Sequence, residues 1–163
     1  MPLYFAYGAN MDVAAMARRA PGGKPLGLAR LVRHRFVITE HGYASVVRDP
    51  RQVVHGLLWD MPLADIKALD RFEEVDRGLY VKIDQPVITA NGPRRALVYV
   101  GTGKPGGKPR AGYLEDLLRA GAEIGLPTGY LAGMAQLGQG APAAPARKSP
   151  GGPRASETWQ WGD

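Results

Sequence analysis

Asn91-Gly92 stands between two strand-like runs, residues 79–90 and 94–101, and that dipeptide predicts a tight β-hairpin. A hairpin pairs its strands antiparallel, so the chain is not built from uniform βαβ winding. Further strands are expected at residues 3–7, 29–39, 43–48 and 53–61. Glu40-His41-Gly42 would join the second to the third, Asp49-Pro50-Arg51 marks a turn after the third, and Gly56 suggests a bulge in the fourth. Helices are expected at residues 10–20, 62–73, 113–124 and 128–137. Asn10 suits an N-cap, and Pro21-Gly22-Gly23 stops the first helix. Leu63, Ile66 and Leu69 share a face of the second, as Leu114, Leu117, Leu118 and Gly121 do of the third. Between the last strand and that helix, residues 103–109 read as a mobile or extended loop. Strands with helices inserted among them define an α+β class.

One domain, residues 1–138, accounts for the patterned part of the 163-residue chain. Residues 139–163 are dominated by Ala, Pro, Gly and Ser and read as a flexible tail, on which Trp159 and Trp161 offer two indoles for docking. A net charge of +6 raises the question of nucleic acid. The basic residues are scattered, however, and no helix carries a basic stripe with interleaved aromatics, so no nucleic-acid partner is expected. No apolar run reaches the ~18 residues of a membrane span, and no signal-peptide pattern opens the chain, which makes the cytoplasm the expected location.

The composition narrows the chemistry further. Without cysteine there is no thiol nucleophile or thiolate metal site. His34, His41 and His55 lack metal-ligand spacing, Ser45 lies outside any nucleophile elbow, and no GxGxxG or Walker loop occurs. Neither a metal nor a cofactor is expected.

Two features remain. On the helix over 62–73, Glu73 falls four residues beyond Leu69, on the buried face, whereas Glu74 falls four beyond Asp70, on the polar face. Glu73 should therefore project inward and Glu74 toward water. Burial and the negative end of the helix dipole would both raise the pKa of Glu73, as an acid/base group requires. The second feature is the glycine turn after the first strand. Gly8 permits unusual backbone angles, and a helix starting at Asn10 leaves amide donors able to hold an anion.

Tyr4-Phe5-Ala6-Tyr7-Gly8-Ala9-Asn10 and Leu69-Asp70-Arg71-Phe72-Glu73-Glu74, with Gly78-Leu79-Tyr80 behind, together resemble the γ-glutamylcyclotransferases. His41-Gly42-Tyr43-Ala44, Gly56-Leu57-Leu58-Trp59 and Gly125-Leu126-Pro127-x-x-Tyr130 extend that resemblance over most of the chain before the tail. It implies a mixed, barrel-like sheet with surrounding helices and an acid/base Glu73. It implies a substrate site made by Tyr7, Gly8, Ala9 and Asn10 with Tyr80, Tyr99 and Tyr113. The chain departs from the family pattern at Ala9, where serine is usual, and at Glu74, where glycine is usual.

The implied activity releases 5-oxoproline and a free amine from a γ-glutamyl compound, with no cofactor. A γ-glutamyl amino acid is the first substrate expected; a γ-glutamyl protecting group in natural-product assembly is the second. Glutathione-specific relatives usually carry leucine where Asn10 stands. A binding module without catalysis, and a homodimer, remain open at this stage.

Overall fold

The computed structural model describes residues 2–138. The expectations for the tail, including docking of Trp159 and Trp161, lie outside the described residues.

Five strands form a closed barrel: β1 (Leu3–Ala6), β2 (Lys24–Ile38), β3 (Ala44–Asp60), β4 (Tyr80–Thr89) and β5 (Gly92–Gly101), in spatial order β1-β3-β2-β4-β5. Neighbours run antiparallel except at the closure, where β1 and β5 pair in parallel through Tyr4 and Leu97. Closure leaves the sheet without an open edge. Four α-helices surround it: α1 (Val13–Arg19), α2 (Leu63–Phe72), α3 (Tyr113–Ile124) and α4 (Thr128–Ala135). The expected α+β class and barrel-like sheet are both present. None of the described helices is long and apolar enough to cross a membrane.

Alternate residues of β1 serve two cores, as the two-residue period of a strand dictates. Phe5 and Tyr7 pack with Leu31, Val54, Val87 and Val98. Tyr4 and Ala6 join Trp59, Met11, Met16 and Leu69, and so attach α1 and α2 to the barrel. Here lies the reason for Gly56. It pairs in register with Ala29, so no bulge occurs there. A Cβ at Gly56 would stand 2.2 Å from the Ala6 carbonyl oxygen, so the glycine serves close approach.

The hairpin at Asn91-Gly92 forms as expected, with Thr89 opposite Gly92. The turn expected at Asp49-Pro50-Arg51 does not reverse the chain. Two expected strands are one, β3, and β2 begins at Lys24 rather than 29. Turn chemistry is nevertheless present: Asp49 Oδ1 accepts from the Arg51 amide at 3.1 Å. It makes a bulge. Val32 faces Val53 while His34 faces Arg48, and Arg33 sits between them with φ of 60°. Because both strands continue beyond the bulge and regain their ladder, the local turn is absorbed.

Three smaller expectations change. Leu63, placed on the buried face of α2, is 70% exposed; Ile66 and Leu69 carry the packing. The last helix ends at Ala135 and continues as a 3₁₀ turn, Gln136–Gly138. Residues 103–109 are tied to the end of β2: the amides of Gly106 and Gly107 donate to Ile38, Glu40 donates to Lys104, and Thr39 bridges to Pro105.

Candidate active site

Glu73 caps the C-terminus of α2, where its amide closes the last turn on the Leu69 carbonyl at 2.8 Å. The helical period that buries Ile66 and Leu69 carries its side chain inward as well, leaving 3% of the residue exposed. Asn10 Nδ2 lies 3.5 Å from Glu73 Oε1, and Oε2 has no hydrogen-bond partner. A buried carboxyl oxygen left without a partner is costly to ionise. Burial accordingly pushes the Glu73 pKa up to about 8, opposed by the Arg19 guanidinium and reinforced by Asp70 and Glu74.

The carboxyl faces a pocket with about 270 Å³ of space, its open mouth included. Its walls contain all seven substrate-site residues expected from the sequence: Tyr7, Gly8, Ala9, Asn10, Tyr80, Tyr99 and Tyr113. Tyr4 and Ala44 complete it and were not selected from the sequence. Tyr4 lies two residues before Ala6 in the same motif, but its place beside Asn10, near Glu73, depends on packing between elements distant in the chain.

The aromatic hydroxyls are arranged by the barrel. Tyr7 donates to the Tyr99 carbonyl, Tyr80 donates to the Ala44 carbonyl at 2.6 Å, and Tyr99 donates to Asp70 Oδ1 at 2.7 Å. A phenol has a single proton to give and two lone pairs to offer. These three hydroxyls have therefore committed their protons to the fold and retain acceptor capacity alone. Burial raises the pKa of each, so none of them is an anion at neutral pH. Tyr113 differs, because its oxygen accepts from the Ala44 amide at 3.0 Å.

The glycine loop keeps one expectation and departs from another. Gly8 has φ of −123° and ψ of −133°, outside the helical and extended regions, the unusual backbone that a glycine permits. A Cβ there would stand 3.6 Å from Ala44 Cβ and 3.8 Å from the Tyr113 hydroxyl, at ordinary contact distance on the pocket wall. Asn10, however, does not cap a helix. It sits inside a 3₁₀ turn, Ala9–Met11, and α1 starts later with Asp12 as its cap, the side chain accepting from the Ala15 amide at 3.1 Å. The amides of Gly8, Ala9 and Asn10 thus belong to the start of the 3₁₀ turn, whose first N–H groups have no partner within it. The dipole of α1 ends at Asp12 instead.

Asn10 is 2% exposed and joins the loop to the rest of the site. Nδ2 donates to the Tyr4 hydroxyl at 2.9 Å, Oδ1 accepts from Arg19 Nη1 at 2.6 Å, and its carbonyl accepts from the Trp59 indole at 3.2 Å. Sequence reasoning overlooked Arg19, whose nine-residue separation from Asn10 carries no local signal.

Glu74 is also corrected. It lies beyond the helix in the left-handed region, with φ of 54°. Its side chain is 13% exposed and ion-paired with Arg77 at 2.9 Å, rather than directed freely into water. Glycine accepts such an angle without the Cβ clash, which accounts for that residue being the usual one here.

The AIG2-like family model matches residues 53–134. A human γ-glutamylcyclotransferase is 30% identical over 139 residues, covering 78% of this chain and 74% of that protein. Among solved structures, a γ-glutamyl cyclotransferase superposes with a TM-score of 0.77 at 22% identity, over 98% of both chains. A human protein described as uncharacterized superposes with a TM-score of 0.76 at 24% identity, over 96% of both. These two likenesses establish the fold.

Proposed function

Because the chain belongs to the γ-glutamylcyclotransferase family of enzymes, we propose that it releases 5-oxoproline and a free amine from a γ-glutamyl amino acid, with Glu73 as the sole acid/base group. The observation that carries this reading is the unpartnered Oε2 of Glu73, buried at the wall of a pocket lined by tyrosine hydroxyls.

The α-amine of the substrate attacks its own γ-carbonyl carbon, a new C–N bond closes the five-membered ring, and the original γ-amide C–N bond breaks. Nucleophile and electrophile arrive tethered, an arrangement worth effective molarities of ~10⁵ M and above. What the enzyme must supply is proton transfer, since an ammonium cannot attack. Ionised Glu73 accepts that proton and returns it to the departing nitrogen. The ring nitrogen gives up a second proton as the lactam forms, and with it the freed amine leaves as its ammonium, so the proton count balances over one turnover. A carboxyl with a pKa of about 8 is a far stronger base than an ordinary glutamate. The arriving ammonium favours its charged form, and the acceptor lone pairs of Tyr7, Tyr80 and Tyr99 suit the same cation. The amides around Gly8, Ala9 and Asn10 would hold the substrate carboxylate or the oxyanion. Ala9 lacks the hydroxyl that serine would add there.

Mass spectrometry for 5-oxoproline across a panel of γ-glutamyl amides tests the reaction and ranks leaving groups together. No 5-oxoproline from any member of the panel would overturn the assignment.

A further inference from the structure

Arg19 lies outside the pocket wall, yet it contacts two neighbours of Glu73, Phe72 and Asn10. It occupies the last turn of α1, where a cation is favoured by the helix dipole. Its guanidinium stacks 4.4 Å from the centre of the Phe72 ring, immediately before Glu73, while Nη1 donates to Asn10 Oδ1 at 2.6 Å.

The consequence follows from the asymmetry of a carboxamide. One end of Asn10 accepts hydrogen bonds and the other donates them, whereas a guanidinium only donates. The oxygen of Asn10 must therefore face Arg19. Its NH₂ is then obliged to face the opposite way, toward the Tyr4 hydroxyl at 2.9 Å and Glu73 Oε1 at 3.5 Å. With the amide turned over, its oxygen would confront Oε1, and two acceptors meet without repulsion only if the carboxyl keeps its proton. We propose that Arg19 is a positioning residue for the reaction: it fixes the Asn10 carboxamide so that its NH₂, not its oxygen, meets the Glu73 carboxylate. The inference rests on the reading of Glu73 as the acid/base group.

The surroundings of Glu73 leave this role to Arg19. Asp70, on α2, and Glu74, just beyond it, oppose ionisation. Tyr4 from β1, Tyr7 just beyond it, Tyr80 from β4, Tyr99 from β5 and Tyr113 from α3 all have raised pKa values and stay neutral through the range in which Glu73 titrates. Among the described residues that act on Glu73, Arg19 supplies the positive charge. Charge and amide orientation thus work in the same direction, keeping the carboxylate form within reach near neutral pH.

The test is the titration of Glu73 in the full-length protein, followed by ¹³C NMR of labelled glutamate and assigned by the signal lost in Glu73→Gln. Arg19→Met keeps a side chain against Phe72 but removes donor and charge, and should raise the midpoint by about one pH unit or more. Arg19→Lys restores a donor and a charge and should recover most of the shift. Arg19→Gln keeps a donor alone and should fall between, which provides a reading if the methionine variant folds poorly. In kinetics, the acid limb of kcat/KM for Arg19→Met should move with the midpoint, giving a roughly tenfold loss at pH 7 that shrinks toward pH 9. Midpoints equal to wild type in Arg19→Met and Arg19→Gln would overturn the inference, as would an equal loss of turnover at every pH. Should Glu73→Gln retain turnover, the catalytic reading fails, while the NMR titration still decides what Arg19 does to the carboxyl.

Discussion

Asp12 and Glu73 are both buried carboxylates at the end of a short helix, exposed by 7% and 3%, and their partners could hardly differ more. Asp12 opens α1: one oxygen accepts from the Ala15 amide, and the other meets Arg119 at 3.4 Å. Its valences are spent on holding the helix start. Glu73 closes α2 at the negative end of the dipole, with one oxygen 3.5 Å from Asn10 and the other unpartnered. Helix ends tolerate acids at the first position and resist them at the last. A carboxylate retained where the local field opposes it, and left unsatisfied beside a pocket, points to chemistry rather than to architecture.

The largest effect that tests this contrast is on turnover. Glu73→Gln preserves shape but cannot carry a proton, so 5-oxoproline formation should fall at least ~10²-fold with the circular dichroism spectrum unchanged. Glu74→Gln, one residue on and paired with Arg77, should remain close to wild type. Exchange of these two phenotypes would show that the wrong glutamate has been assigned.

Next in size is the pH dependence of stability. The folded pKa of Glu73, about 8, lies above its ordinary value of 4.5. Between those values the unfolded chain has released the proton and the folded chain still binds it. Stability is thus greatest below about 4.5 and declines as pH rises toward 8, by about 1.4 kcal/mol for each unit of difference as an upper bound. Denaturant melts from pH 5 to 8 should show Glu73→Gln gaining on wild type as pH increases. A constant difference between the two across that range would mean that Glu73 is ionised throughout.

Asp12→Ala should give the smallest effect and the opposite signature. Loss of an N-cap costs about 1 kcal/mol of stability, and its half-exposed partner Arg119 adds little. Turnover per folded molecule should hold. A loss of activity beyond the loss of folded protein would place α1's start in the reaction and dissolve the contrast.

Much of this arrangement could be read from local pattern. The Asn91-Gly92 hairpin, the inward face of Glu73 and the apolar side of α3 all follow from periods of two or 3.6 residues, because those periods state which way a side chain points. The loop residues from Tyr7 to Asn10 do line the pocket, although the reason given for Asn10 was wrong. Asn10 has an ideal capping side chain, but Asp12, two residues later, takes the cap, and Asn10 is buried in polar contacts instead. Asp49-Pro50-Arg51 has genuine turn chemistry that two continuing strands convert into a bulge.

What the chain dictated alone is therefore direction: strand or helix, inside or outside, and the carboxylate that must face inward at the end of α2. Only the closed barrel decided addresses. The parallel contact of Tyr4 with Leu97 closes the sheet. The contact of Asn10 with Glu73 spans 63 residues, and the bond from Tyr99 to Asp70 spans 29. A local period fixes an angle about a strand or helix axis, but carries no information about which distant element will occupy the space that angle points into. That choice belongs to cooperative packing, and with it came the unpartnered oxygen of Glu73 and the guanidinium of Arg19 that holds Asn10 toward it.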